Sequence, residues 1–201
     1  MGFRTLNQRL FDWAHGSDRP QGVSFDLDER GRKQIFLRAY LRDVPLKPGE
    51  HPVSLGVGDR YFKMTCILDD SALNLQSGIG VAGASGRVVG AAITFRIEPT
   101  RPVTNLSLKA NVFAHTSLGG SASVASSTDG ETWSEPEKSD PKNQNHVLVA
   151  QRGTGYETAS RFSKEPMWVR VQFAANSGTE TNTAASLDSI EITAAVAPPL
   201  N

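Results

Sequence analysis

From position 22 onward the chain is a succession of short segments in which apolar and polar residues alternate, the period-two pattern of strands with one buried face. Such segments run over 22–28, 33–42, 60–68, 87–98 and 103–114, and again over 121–127, 145–151, 166–174 and 186–195. With no convincing helical period between them, they predict an all-β fold, a two-sheet antiparallel, jelly-roll-like β-sandwich. Ahead of them Phe3, Leu6, Leu10 and Trp13 recur at three- and four-residue steps, the stripe of a short helix or, equally, of an extended arm. The expected organisation is an N-terminal arm or helix over 1–20, one sandwich domain over 21–196, and a linker stub over 197–201. Proline and glycine in "PLKPGEHP" mark a tight turn, "EPTRP" separates two long strands, and the polar stretches 134–144 and 175–184 read as surface loops.

Composition narrows the function classes. A length of 201 residues suits one large sandwich. Lys and Arg total 21 against 21 Asp and Glu, so no global field draws the chain to a polyanion, and a nucleic-acid partner is not expected. No run approaches the roughly 18 apolar residues of a membrane span, and "MGFRTLNQRLFDW" lacks the apolar core of a signal peptide, so the expectation is a soluble domain, without membrane insertion, cut from a longer protein. The single cysteine, Cys66, alternates with apolar neighbours in "YFKMTCILDD" and reads as a buried structural thiol.

In "SASVASSTDGETW" the Asp129-Gly130 pair suits a hairpin, because glycine accepts positive φ, and Trp133 begins the return. Read physically, that tryptophan covers the end of the core while its indole N–H finds a loop carbonyl. The pattern Ser-x-Asp-Gly-x-x-Trp, here Ser127, Asp129, Gly130 and Trp133, resembles the strand-turn-strand of galactose-binding-like β-sandwiches, including discoidin-type and carbohydrate-binding modules. The upstream "ITFRIEPTRPVTNLSLKANVF" and the downstream "PMWVRVQFAA" and "SLDSIEITA" resemble the flanking strands, so the likeness covers roughly residues 87–195. It implies a non-catalytic module that recognises a glycan or polysaccharide, with other domains of a parent protein as further partners, in an extracellular or cell-surface bacterial setting. It also places Asp188 where some members hold a structural calcium, and Asp26 and Asp28 are candidate companions. The sialidase Asp-box is similar too, but here aspartate and glycine are adjacent, and one copy cannot build a propeller.

Two strands place aromatic and basic residues on one side. Arg38 and Tyr40 alternate with Leu37, Ala39 and Leu41, and Trp168 and Arg170 alternate with Met167, Val169 and Val171. Aromatic faces and planar guanidinium donors suit sugar rings and their hydroxyls or carboxylates. Were the two strands in one sheet, these four residues would form a ligand platform. The plainer reading is arginine stacked on aromatic rings, worth about 0.5–1 kcal/mol when exposed. Catalytic patterns are thin. His15, His51, His115 and His146 are dispersed, and there is neither a Gly-x-Ser-x-Gly elbow nor a phosphate loop, since "GVAGASGRVVG" lacks the lysine. Two further readings stay open: an adhesion or spacer sandwich, and a polysaccharide lyase or hydrolase whose carboxylates converge only in space. "RGRK" at 30–33 reads as a solvated turn, and Asn105-Leu-Ser matches a glycosylation acceptor inside a predicted strand.

Overall fold

The computed structural model describes residues 21–27, 33–39, 44–76, 80–82, 89–152, 162–175 and 183–197. Numbered along the chain, the strands begin with β1 (Gln21–Leu27), β2 (Lys33–Ala39), β3 (Gly49–Val53), β4 (Phe62–Leu68), β5 (Leu75–Gln76) and β6 (Gly80–Ala82). They continue with β7 (Val89–Pro99), β8 (Val103–Ala114), β9 (Ser121–Ser127), β10 (Glu137–Lys138), β11 (Asn145–Gln151), β12 (Met167–Ala175) and β13 (Thr183–Val196). Each strand segment read from the alternation has a strand within it among the described residues; positions 28, 40–42 and 87–88 of those segments lie outside them. The only helical pieces among the described residues are 3-10 turns, at Gly56–Arg60, Asp70–Asn74 and Thr116–Leu118. The expected arm over 1–20 lies outside the described residues.

The strands form two antiparallel sheets. A seven-stranded sheet is centred on β13, which pairs with β8 on one side and with β2 and β6 on the other; β1, β5 and β11 lie beyond them. A six-stranded sheet runs β10-β9-β12-β7-β4-β3. Alternation decides what each strand buries. Phe62, Met64, Cys66 and Leu68 of β4, Ile93, Phe95 and Ile97 of β7, and Met167, Val169 and Val171 of β12 face the core. Leu106, Leu108 and Ala110 of β8, with Ile190 and Ile192 of β13, meet them from the other sheet. Each large apolar side chain so buried contributes roughly 1.5–3 kcal/mol. Cys66 sits within this layer, and loss of hydration pushes its thiol from 9.0 up to about 12.

Four strands escaped the sequence: β3, β10 and the short β5 and β6. β3 lies within the proline-rich stretch expected to be a turn, and it carries Pro52; among the described residues it pairs only with β4, which makes it an edge strand, where a missing N–H is tolerated. β10, two residues in the polar stretch 134–144, pairs with β9. Glu137 of β10 also reaches the other sheet, its Oε2 accepting the Val149 N–H of β11 at 2.7 Å.

Two irregularities shape β8 and β13. Between the pairs Thr193↔Ser107 and Ala195↔Thr104, β8 carries one extra residue, and there Asn105 adopts φ 54, exposed to solvent. That is a β-bulge, with asparagine meeting the left-handed backbone it tolerates better than most residues. In β13 the register shifts between Leu187 and Ser189, and Asp188 projects from the shift as an exposed residue.

Candidate functional site

The Ser-x-Asp-Gly turn at the end of β9 is built from its own side chains. Ser127 Oγ accepts the Gly130 N–H at 2.9 Å and donates to Asp129 Oδ1 at 2.8 Å. The same Oδ1 accepts the N–H groups of Glu131 and Thr132, both at 2.8 Å. These backbone donors, with the Ser127 hydroxyl, hold the Asp129 carboxyl far below the usual carboxylate range. Gly130 has φ 81, as the pair requires, and the chain turns back so that the Ser134 N–H meets Ser126 O at 2.8 Å. The Asp-Gly pair therefore opens a wider hairpin whose return pairing starts one residue after Trp133.

The turn places its neighbours against the outer face of the six-stranded sheet. Trp168 is opposite Ser127 and Arg96, and Arg170 is opposite Ala125 and Thr94. Gly130 backs onto Trp168 so closely that an added Cβ would lie 3.1–3.3 Å from three ring carbons. The Arg96 Cζ stands 5.4 Å from the centre of that ring, with its Nη2 3.4 Å from Glu50 and its Nε 3.6 Å from Glu98. Arg170 lies over Trp133, its Cζ 4.0 Å from the ring centre, and its Nε reaches Thr94 Oγ1 at 3.4 Å. Two arginine-tryptophan stacks thus stand side by side, and Trp133, expected to cover the core end, packs beneath a guanidinium.

Trp133 also lines a cleft of about 260 Å³, together with residues 126–128, 132 and 134 of the hairpin and Gln151 and Arg152 at the end of β11. Its lining offers one aromatic ring, several hydroxyls, an amide and one guanidinium. Arg152 is held from three directions. Its N–H donates to Leu106 O at 3.0 Å, Nη2 to Val103 O at 2.7 Å and Nη1 to Glu165 O at 2.6 Å. Partial burial lowers its pKa, and the charge of Glu165 opposes that shift. The carbonyls of Val103 and Leu106 flank the Asn105 bulge, so the bulge and the arginine are parts of one arrangement.

The four-residue platform does not form. β2 belongs to the seven-stranded sheet and β12 to the six-stranded one, so Arg38 and Trp168 are in different layers; Tyr40 lies outside the described residues. Trp168 and Arg170 share a face, but their companions are Arg96 and Trp133. Neither Gln151 nor Arg152 was singled out from the sequence, where they end a strand without a local motif. Asp188 is exposed; Asp26 is in β1 and Asp28 lies outside the described residues. Among the described residues no three His, Cys, Asp or Glu side chains gather as a metal site. His51 is buried and bonds Lys47 O, His115 meets Ser117, and His146 bridges Asp140 and Asn143.

No protein-family model and no curated protein matches this sequence. Among solved structures, the chain overlays part of Xylanase10C (mutant E385A) from Cellvibrio japonicus in complex with xylopentaose, at 12% identity and TM-score 0.34, over 77% of this chain and 28% of that one. TmCBM61 in complex with beta-1,4-galactotriose overlays 90% of this chain and 88% of its own at 7% identity and TM-score 0.24. CBM32-3 from a family 31 glycoside hydrolase of Clostridium perfringens overlays 67% and 76% at 14% identity and TM-score 0.23. These overlays are too loose to bear on function. The strand order and burial pattern define the chain as a two-sheet antiparallel β-sandwich.

Proposed function

We propose that this sandwich is a non-catalytic carbohydrate-binding module and that its binding site is the Trp133 cleft. The observation that carries the reading is the combination at Trp133: an aromatic ring stacked with Arg170 and bordering a small cleft rich in hydroxyls. A sugar needs an apolar surface for its C–H face and short polar groups for its hydroxyls, and the lining supplies both. Pockets for drug-sized ligands run to about 300–1,000 Å³, so 260 Å³ fits one sugar residue of a longer chain better than a bulky cofactor. On this reading the module serves a larger extracellular or cell-surface bacterial protein, and any calcium at Asp188 would be structural.

The test is affinity electrophoresis of the folded chain in gels containing neutral and acidic polysaccharides, with Trp133→Ala beside it. Retardation that Trp133→Ala abolishes supports the reading; no retardation by any polysaccharide overturns it. A second reading, a spacer or protein-interaction sandwich, is favoured by the packing of Arg96 over Trp168 on the sheet face. It predicts that Trp168→Ala lowers stability and that no polysaccharide retards the unaltered chain.

A further inference from the structure

Among the described residues, the one charged side chain in the cleft lining is Arg152, and no carboxylate lines it. Asp129, in the adjoining turn, has its Oδ1 occupied by Ser127, Glu131 and Thr132. Arg152 has no ion-pair partner among the described residues. A half-buried cation without an ion-pair partner is costly, because partial burial removes water and only the longer-range field of Glu165 offsets the loss. Its position is nevertheless fixed: two of its five N–H donors bond the carbonyls of Glu165 and Val103. Glu165 lies outside ion-pair range and lends only a longer-range field. The remaining donors are those of a planar fork suited to a carboxylate. The bulge at Asn105 adds to the fixing, since Val103 and Leu106, on either side of it, both accept hydrogen bonds from Arg152.

Resting on the carbohydrate reading above, we infer that the cleft selects sugar residues bearing a carboxylate, of the uronic-acid class, with Arg152 receiving the carboxylate and Trp133 the ring face. A neutral hexose would use the ring and the hydroxyls but leave the guanidinium without its counter-ion.

The experiment measures binding of the intact chain, by calorimetry, to oligogalacturonate, alginate oligosaccharide and a glucuronic-acid-containing oligosaccharide, each beside its methyl ester, with neutral xylan and galactan oligosaccharides as further arms. Esterification removes the charge and keeps the sugar. At least one acid should bind about tenfold or more tightly than its ester, the scale of one charge-assisted hydrogen-bonding contact, and the advantage should shrink with added salt. Arg152→Gln should abolish the difference between acid and ester; because Arg152 also ties two carbonyls, its thermal melt is recorded alongside. Acid and ester binding equally well, or neutral oligosaccharides binding best, overturns the acidic preference and leaves the carbohydrate reading standing. Binding to none of these sugars overturns both. Should Arg152→Gln fail to fold, the acid-against-ester comparison on the unaltered chain decides alone.

Discussion

The guanidinium of Arg170, on β12, lies 4.0 Å from the ring centre of Trp133, on the hairpin loop after β9. This contact fastens a loop to a sheet through two residues 37 positions apart, and the loop it fastens forms one wall of the cleft. A partly desolvated pair of this kind is worth about 0.5–2 kcal/mol. A double-mutant cycle on Arg170→Ala and Trp133→Ala, followed by urea unfolding, should return a coupling energy of about 1 kcal/mol. Strictly additive effects would show that the contact carries no energy.

Gly130→Ala should destabilise by about 1–3 kcal/mol. Two causes act together: φ 81 is unfavourable for a residue with a Cβ, and that Cβ would press on the Trp168 ring. Urea unfolding gives the loss, and Trp168 fluorescence should shift even in the folded variant.

Asp129 makes acid sensitivity specific. Its folded-state pKa is depressed, chiefly by the Thr132 and Glu131 backbone donors, so its contribution to stability is complete above the ordinary carboxylate value of about 4 and fades as pH falls below it. Asp129→Ala should therefore be less stable than the parent at pH 7, with the gap narrowing toward pH 2. Melting curves across that range measure it, and a gap independent of pH would contradict the assignment.

Cys66 works in the opposite direction. Its thiol is raised from 9.0 to about 12, so above pH 9 the unfolded chain ionises where the folded one does not. Stability from this group is full below pH 9 and declines as pH rises toward 12. In the folded protein a thiol reagent at pH 8 should label Cys66 at the rate of global opening, and immediately once urea unfolds the chain.

The strands were legible because burial on one face writes a local, period-two signal, as in Phe62, Met64, Cys66 and Leu68. β3 was not, because Pro52 speaks for a turn until its edge position is known. Trp168 and Arg170 announce a shared face through their spacing, but which partners lie across from them depends on strand order. Alternation has no way of saying that β2 and β12 belong to different layers, and so it joined Arg38 to Trp168. The Trp133 cleft was hidden for the same reason: Arg152 reaches it from another strand, held by carbonyls near a bulge whose only local trace is an asparagine with left-handed backbone.

Glu137 joins β10 to β11 across the two sheets, and it does so where one layer ends. An uncapped rim is an invitation to neighbouring molecules, which can add their own backbone to it and grow into polymers. By occupying the amide of Val149, two residues from the exposed side chain of Val147, this carboxylate puts a negative charge and a filled hydrogen-bonding position at the rim. The seam therefore leaves one amide fewer at this rim for a second molecule to pair with.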